Sequence, residues 1–292
     1  MFEGTYTALV TPFRDGHIDE EALRALIGEQ LKAGIDGLVP CGSTGESATL
    51  NHEEHKTIIS LTVEEVAGRA LVIAGTGSNN TAEAVSLTRF AKQAGADGAL
   101  LIGPYYNKPT QQGHLLHYKA ITEAVDIPII VYNIPGRTGV NMTPETIARI
   151  AQLPGVVGLK EATGSLDQAI KVMQLCGDEF TLLSGDDTLT LPLMAVGARG
   201  VIAVTANLAP RPMKALVDAA ARNDFAEARR IHRELLPLMH AMALETNPIP
   251  VKTALALSGR ICDEFRLPLT TMSDPNRKQL SAVLAAAGLA GN

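Results

Sequence analysis

Eight short apolar runs alternate with longer segments of helical periodicity, and this alternation limits the possible folds more than any other feature of the chain. Successive runs begin 19–33 residues apart, which is enough for a strand, a helix and two loops. The alternation is typical of repeated βα units around a parallel sheet. The eight predicted strands are residues 6–11, 37–40, 70–75, 98–102, 129–132, 156–160, 181–184 and 200–203.

Three of the predicted helix-to-strand joints share a sequence pattern. Residues 33–38 read AGIDGL, residues 94–99 read AGADGA and residues 196–201 read VGARGV. The first glycine suits a left-handed helix end and the second a tight entry into the next strand. Eight units with recurring joints favour a closed (β/α)₈ barrel, in which all strands are equivalent, over an open doubly wound sheet.

The pattern changes to helices alone after the eighth run. Residues 212–223 are predicted to complete the barrel, and three further helices are predicted at 225–242, 251–258 and 274–287. This last part is short for an independent domain. We therefore expect a catalytic barrel over residues 1–224 and a helical region over residues 225–292 that packs on it.

Composition excludes several functional classes. With 292 residues the chain has 25 Lys and Arg against 31 Asp and Glu, and no Trp, which argues against binding nucleic acid. Neither a signal peptide nor an apolar run of about 18 residues is evident, so no membrane association is expected. Three cysteines without CxxC spacing indicate neither a disulfide framework nor a zinc site. A cytoplasmic location fits best.

In a (β/α)₈ barrel the reactive groups lie at the carboxyl ends of the strands. Lys160 ends the sixth predicted strand, and alternation places it on the same side as Gly158. If that side faces the barrel interior, burial lowers the pKa of the ammonium and exposes a nucleophile. Tyr132 ends the preceding strand. A buried lysine beside a phenol is suited to imine chemistry on a carbonyl compound, although a solvated lysine remains the alternative.

Other polar groups near strand ends allow two interpretations each. Ser43 and Thr44, in a strand-to-helix turn, could bind a small carboxylate or simply cap a helix. Arg137, in a turn beyond the fifth strand, could hold a carboxylate or lie free on the surface. His52 and His55 have the spacing HEEH rather than HExxH, so no metal site is predicted.

Several motifs, in order along nearly the whole chain, resemble the 4-hydroxy-tetrahydrodipicolinate synthase (dihydrodipicolinate synthase) family. This family of pyruvate-dependent class I aldolases has a (β/α)₈ barrel with a C-terminal helical appendage, so the resemblance implies the same fold. The motifs are ALVTPF at 8–13, GESATL at 45–50, PYYNKP at 104–109, YNIPGRT at 132–138, GLKEA at 158–162, SGDD at 184–187 and NPIPVK at 247–252.

The resemblance implies a lyase that condenses pyruvate with L-aspartate 4-semialdehyde, the first committed step of lysine biosynthesis through diaminopimelate. Lys160 matches the Schiff-base lysine, and Tyr132, Thr44 and Tyr106 match the proton relay. Tyr106 is expected to reach a neighbouring subunit's site. Ser43 stands where most members have Thr, so a hydroxyl is kept and a methyl group is lost. No cofactor or metal is implied.

The remaining implied site residues bind substrates. Arg137 matches the arginine that holds the carboxylate of the semialdehyde, and Gly185 and Ile202 match the wall of the pyruvate pocket. The family also implies a homo-oligomer, expected to be a tetramer built as a dimer of dimers.

In feedback-regulated members, L-lysine binds an interface pocket, and this chain is similar at all six of its positions. Inhibition by L-lysine is therefore expected. A glutamate carboxylate suits the ammonium groups of lysine, while amide and hydroxyl groups suit its carboxylate. The six residues are Ala48, His52, His55, Asn79, Glu83 and Tyr105.

Two alternatives remain at this point. A pyruvate-cleaving aldolase such as N-acetylneuraminate lyase shares the lysine, the tyrosine and the GSTGE-like turn, and Ser43 slightly favours it. Such lyases typically lack the arginine at the position of Arg137. A non-catalytic relative that senses small ligands is the other alternative, but the chain keeps the lysine and the whole proton relay.

Overall fold

The computed structural model describes residues 2–290 and contains a closed barrel of eight parallel strands. Each barrel strand pairs with the next one along the chain, and the first pairs with the last, which closes the ring. The (β/α)₈ prediction is therefore confirmed. The barrel strands are β1 (Gly4–Ala8), β4 (Gly37–Val39), β5 (Leu71–Gly75), β6 (Gly98–Ile102), β7 (Ile129–Asn133), β8 (Val156–Glu161), β9 (Thr181–Ser184) and β10 (Gly200–Ala203).

Helices separate the strands and surround the barrel. Their order matches the predicted alternation, and the four predicted C-terminal helices are present with ends shifted by one or two residues. The helices are α1 (Glu20–Ala33), α2 (His52–Val66), α3 (Thr81–Ala94), α4 (Gln111–Ala124), α5 (Pro135–Thr138), α6 (Pro144–Ala151), α7 (Leu166–Cys176), α8 (Thr190–Ala195), α9 (Pro210–Ala221), α10 (Phe225–Ala241), α11 (Ile249–Leu257) and α12 (Asp274–Ala286), with 3₁₀ turns at Ser47–Thr49 and Thr205–Asn207.

The first strand was misplaced by the sequence prediction. It begins at Gly4 rather than residue 6 and ends at Ala8 rather than residue 11. The N–H of Val10 donates to the side chain of Asn207, at 3.2 Å, instead of to a neighbouring strand. This acceptor lies 197 residues away in the sequence, so no local pattern could predict where the strand ends.

A small hairpin after the first barrel strand was not predicted. Strands β2 (Phe13–Arg14) and β3 (His17–Ile18) pair antiparallel across Asp15 and Gly16. Both turn residues have positive φ, at 53° and 80°. This is the backbone that an Asp-Gly pair favours in a two-residue hairpin, so the local signal was present in the sequence.

Glycine at the start of β10 allows the barrel to close. A Cβ atom on Gly200 would lie only 1.9 Å from the carbonyl oxygen of Gly4 on β1, and its φ is +155°. The predicted helix-end glycines Gly34 and Gly95 are left-handed C-caps. The third joint differs, because Val196 is the C-cap of α8 and Gly197, with a φ of +118°, follows it.

Two apolar clusters form the core. The larger one lies between the barrel and its surrounding helices. The smaller one fills the barrel itself, and Tyr132 belongs to it. Its members are Phe2, Tyr6, Ala8, Val39, Ile73, Leu100, Ile130, Tyr132, Leu183 and Ile202.

The helical region after α9 packs on the barrel. Helix α10 lies against α8 and α9, and α12 contacts both α10 and α11. No helix among residues 2–290 has the length and apolar character needed to span a membrane.

Candidate active site

Lys160 and Tyr132 face each other on adjacent strands. The two residues are direct partners in the register of β7 and β8. Each is only 6% exposed, and the Lys160 Nζ lies 4.2 Å from the centroid of the Tyr132 ring. The structure thus encloses Lys160 at a strand end beside a phenol, as the sequence predicted.

Burial changes the acid–base properties of both groups. Desolvation lowers the pKa of Lys160 to about 8, while the charge of Asp187 acts in the opposite direction and that of Arg137 in the same one. Burial raises the pKa of Tyr132, so the phenol stays protonated at neutral pH. A partly neutral amine thus lies beside a neutral phenol, the combination required for attack on a carbonyl and proton transfer.

Asp187 provides a buried carboxylate near the lysine. Its two oxygens accept hydrogen bonds from the backbone N–H groups of Val204 and Thr205, at 3.1 and 2.6 Å. These bonds fix the carboxylate to the loop after β10. Burial nonetheless raises the pKa of Asp187, because desolvation outweighs the hydrogen bonds.

The turn after β4 places Thr44 in the site. Thr44 is 4% exposed, and its Oγ1 accepts a hydrogen bond from Asn247 Nδ2 at 2.9 Å. The hydroxyl of Thr11 donates to the carbonyl of Gly45 at 2.8 Å and fixes the turn against the chain that follows β1. Neither of the predicted hydroxyls in this turn caps a helix, because helix α2 begins later, with Asn51 as its N-cap.

Gly185 lies beside the lysine, and Ile202 lies inside the barrel. A Cβ on Gly185 would lie 3.1 Å from Lys160 Cε and 2.8 Å from Ala162 Cβ, so the lysine stem passes directly over this glycine. Ile202 is fully buried within the same barrel cluster as Tyr132. Gly185 therefore contacts the Lys160 side chain, and Ile202 shares the core cluster of Tyr132.

Arg137 and Tyr106 lie farther out. Arg137 is exposed on the short helix α5, and its Nη2 donates to the carbonyl of Asn247 at 3.0 Å. Tyr106 is 88% exposed and has a φ of 68°, in the left-handed region. A left-handed backbone is uncommon for a bulky residue such as tyrosine.

A cavity of about 880 Å³ opens between these groups. Its lining includes Ser43, Tyr132, Arg137 and Tyr106, together with most of the residues expected to bind lysine. Thr44 and Lys160 do not line it, but they contact Asn247 and Tyr132, which do. Of the expected substrate residues, Ser43 and Arg137 line this cavity, whereas Thr44, Gly185 and Ile202 do not.

Glu83 is the hydrogen-bonding centre of the expected lysine pocket. Its Oε1 lies 2.6 Å from His52 Nε2, and its Oε2 accepts from the hydroxyl of Ser78. These two hydrogen bonds lower the pKa of Glu83, so the carboxylate is charged at neutral pH. Ser78 was not identified from the sequence, since a single serine before a helix carries no distinctive signal.

The other expected pocket residues lie around this centre. His55 is buried, its Nε2 lies 2.7 Å from the carbonyl of Gly75, and desolvation lowers its pKa. Asn79 Nδ2 donates to the carbonyl of Tyr105 at 3.2 Å. Ala48, His52, His55, Glu83 and Tyr105 line the common cavity. Asn79 contacts that lining through Tyr105.

Three polar residues at the site have partners that the sequence did not reveal. Asn247 contacts both Thr44 and Arg137, as described above. Lys252 is completely buried and forms an ion pair with Glu46, two residues after Thr44. The NPIPVK motif contains both Asn247 and Lys252, but their partners lie more than 100 residues away in the sequence.

Residues 1–287 match the profile of the Dihydrodipicolinate synthetase family. The chain belongs to this family. The match covers the barrel and nearly all of the helical region, in agreement with the resemblance read from the motifs.

Relatives within the family extend over the whole chain. A 4-hydroxy-tetrahydrodipicolinate synthase from Nitratidesulfovibrio vulgaris (strain DP4) is 58% identical over 290 residues, which is 99% of each chain. The crystal structure of dihydrodipicolinate synthase from Aquifex aeolicus has a TM-score of 0.98 and 49% identity, covering 100% of both chains. The lysine-bound enzyme from Cyanidioschyzon merolae has a TM-score of 0.96 and 41% identity, covering 99% of both chains. These dihydrodipicolinate synthases favour the synthase interpretation over the aldolase and sensor alternatives.

Proposed function

We propose that this chain condenses pyruvate with L-aspartate 4-semialdehyde to give 4-hydroxy-tetrahydrodipicolinate. The observation that carries the proposal is the enclosed Lys160 amine, with its lowered pKa, facing the Tyr132 ring. The family membership identifies the synthase as the reaction that such a pair performs here.

The reaction begins with attack of the neutral Lys160 amine on the C2 carbonyl of pyruvate. Loss of water forms an iminium ion, and loss of a proton from the methyl group converts it into an enamine. The enamine carbon attacks the aldehyde of the second substrate and forms the new carbon–carbon bond. The amino group of that substrate then displaces the lysine at the iminium carbon, which closes the ring and returns Lys160 as a free amine.

Tyr132, Thr44 and Tyr106 would carry the protons that these steps release and consume. Tyr132 is suited to this role because its raised pKa keeps the phenol protonated beside the imine. Thr44 lies buried in the neighbouring turn. Tyr106 is too exposed to act within a single subunit, and we assign it to the site of a neighbouring subunit.

The remaining residues of the site would bind the substrates. Arg137, on the exposed helix α5, suits the carboxylate of the semialdehyde because it lies outside the barrel rather than beside the lysine. Ser43, Gly185 and Ile202 would bind pyruvate. The Lys160 stem lies close to Gly185, so the space beside the amine is limited and fits a small substrate.

Inhibition by L-lysine is the regulatory part of the proposal. The charged Glu83 would accept an ammonium group of lysine, and Asn79 and Tyr105 would bind its carboxylate. His52 and His55 line the same cavity. The lysine-bound relative supports a site of this kind in the family.

We also infer a homotetramer, built as a dimer of dimers, in the cytoplasm. The role proposed for Tyr106 in a neighbouring subunit's site requires one subunit interface, near the mouth of the barrel. A separate apolar face on helix α7 leaves Leu166 39% and Ile170 44% exposed at a spacing of four residues, which suits a second and weaker contact.

A coupled assay tests the activity directly. With pyruvate and L-aspartate 4-semialdehyde, the purified chain should form a product that a dihydrodipicolinate reductase consumes together with NADPH. Incubation with N-acetylneuraminate should release no pyruvate. Cleavage of N-acetylneuraminate without condensation would establish the aldolase alternative, and the absence of any pyruvate-dependent borohydride adduct would indicate a ligand sensor.

A further inference from the structure

Asn247 lies where the helical region meets the barrel mouth. It precedes helix α11 by two residues, in the segment that joins α10 and α11. Its side chain contacts Thr44, 203 residues earlier in the sequence, and its main chain contacts Arg137, 110 residues earlier. One residue from outside the eight βα units thus touches two members of the site.

In the hydrogen bond to Thr44, the side chain of Asn247 is the donor. A side-chain amide nitrogen only donates, so the Oγ1 of Thr44 is the acceptor in the 2.9 Å contact with Asn247 Nδ2. A hydroxyl that accepts from one side keeps its single proton for a partner in another direction. The proton of Thr44 is therefore directed away from the helical region.

The second contact uses the backbone of the same residue. Arg137 Nη2 donates to the carbonyl of Asn247 at 3.0 Å, so this bond does not depend on the Asn247 side chain. A substitution at position 247 can therefore remove the contact with Thr44 and leave the acceptor for Arg137 in place. The two functions of the residue are separable by experiment.

Neighbouring contacts also tie the helical region to the turn that carries Thr44. Lys252, on helix α11, forms a fully buried ion pair with Glu46. The backbone N–H of Arg266 donates to the other oxygen of Glu46 at 3.3 Å, and Arg266 Nη1 donates to the carbonyl of Thr49 at 3.1 Å. The helical region thus contacts the turn that carries Thr44 at several points.

We propose that Asn247 is a positioning residue for the proton relay, because its amide N–H makes the Thr44 hydroxyl an acceptor on one side and a donor toward the relay on the other. The helical region therefore sets the direction of proton transfer in the barrel. The inference rests on the proposed role of Thr44 in that relay.

Two substitutions separate this role from simple packing. Asn247→Asp keeps the shape but replaces the donor by an acceptor, so the Thr44 hydroxyl turns its proton toward the carboxylate. Asn247→Ala removes the contact without reversing it. We expect pyruvate-dependent borohydride trapping on Lys160, measured without semialdehyde, to slow about 100-fold in Asn247→Asp and about tenfold in Asn247→Ala. A packing role alone predicts the opposite order, since aspartate fills the space better.

The decisive test repeats both Asn247 substitutions in a Thr44→Val chain and measures the trapping rate again. In a Thr44→Val chain, neither Asn247 substitution should slow trapping further, because the hydroxyl on which Asn247 acts is gone. Asn276→Asp is the matched control, since the Asn276 amide also lies in the helical region and donates at 2.8 Å to Glu245, away from the site. It should trap at the wild-type rate.

The possible failures are distinguishable. If Thr44→Val traps and turns over like the wild type, the proposed relay is wrong. If Thr44→Val is slow while Asn247→Asp is as fast as the wild type, or no slower than Asn247→Ala, the positioning inference is wrong and the relay stands. If Asn247→Asp does not fold, the comparison of Asn247→Ala with and without Thr44 decides, and equal slowing in both backgrounds overturns the inference.

Discussion

The Nζ of Lys160 lies 4.2 Å from the centroid of the Tyr132 ring, across two neighbouring strands that pair at these two residues. The contact combines a small, partly neutral amine with a protonated phenol in a space from which most water is excluded. The pKa of about 8 follows mainly from this loss of hydration.

Lys160 is predicted to form the covalent adduct with pyruvate, and the rate should depend on pH through its own pKa. Below about pH 8 the trapping rate should fall as the neutral fraction of the amine falls, by about tenfold for each unit, and it should level off above pH 8. Peptide mass analysis after borohydride treatment should locate the adduct on Lys160. Lys160→Arg should form none, because a guanidinium stays charged.

Buried Lys252 is the matched control for that assignment. It is less exposed than Lys160, but its ammonium is paired with Glu46, so it should remain unmodified. An adduct on Lys252, or a trapping rate that keeps rising to pH 10, would show that enclosure beside Tyr132 does not select the nucleophile.

Arg137→Ala should weaken binding of the semialdehyde rather than that of pyruvate. We expect the KM for the semialdehyde to rise at least tenfold, since a charge-assisted pair with its carboxylate is lost. The charge of Arg137 also contributes to the low pKa of Lys160. The midpoint of the trapping profile should therefore move to higher pH, while trapping at pH 9 persists. Complete loss of trapping at pH 9 would place Arg137 in the pyruvate site instead.

Tyr106 is predicted to complete the site of a neighbouring subunit. Homo-oligomers of Tyr106→Phe and of Lys160→Ala should both be nearly inactive. Hybrids of the two should recover activity, because one of their sites combines an intact lysine with an intact tyrosine from the partner. Mass spectrometry should confirm that hybrids have formed. Verified hybrids without activity would argue that each subunit uses its own tyrosine.

Glu83→Ala should relieve inhibition by L-lysine and leave uninhibited turnover within about twofold of the wild type. The reason is that Glu83 offers the charged carboxylate in the pocket with His52 and Ser78. Glu53→Ala is the control, because Glu53 follows His52 in sequence but pairs with Lys56 on the surface. Full activity of the wild type in millimolar lysine, or competition between lysine and pyruvate, would refute the regulatory proposal.

Lys252→Met should destabilise the chain strongly. It leaves Glu46 as an unpaired carboxylate in a position from which water is excluded, which typically costs about 3–5 kcal/mol. Urea unfolding should show a markedly lower midpoint, and the double variant with Glu46→Gln should recover part of the loss. Arg230→Met, which removes a surface pair with Glu227 and Glu234, should lower the midpoint far less, because solvent screens an exposed pair. Equal costs for the two single variants would contradict this reasoning.

The strand pattern and the residue types at strand ends were accessible from the sequence. Eight apolar runs with helices between them and recurring joints favour a barrel over an open sheet, because a closed sheet places every strand in an equivalent position. Alternation placed Lys160 on the same side as Gly158, and the order of the strands placed Tyr132 beside it; the structure shows that this side is enclosed. Such features depend on local periodicity, which a sequence displays directly.

The tertiary structure decided what depends on contacts between distant segments. Val10, just after the first strand, donates to Asn207, Thr44 accepts a hydrogen bond from Asn247, and Lys252 balances the charge of Glu46. Each partner lies about 200 residues away, and a polar residue looks the same in a sequence whether it faces water or a buried group. The sequence thus indicated the barrel and the lysine at the end of its sixth strand. Only the packed chain decided how the helical region holds the site, because the strength of a hydrogen bond or an ion pair depends on the burial that packing creates.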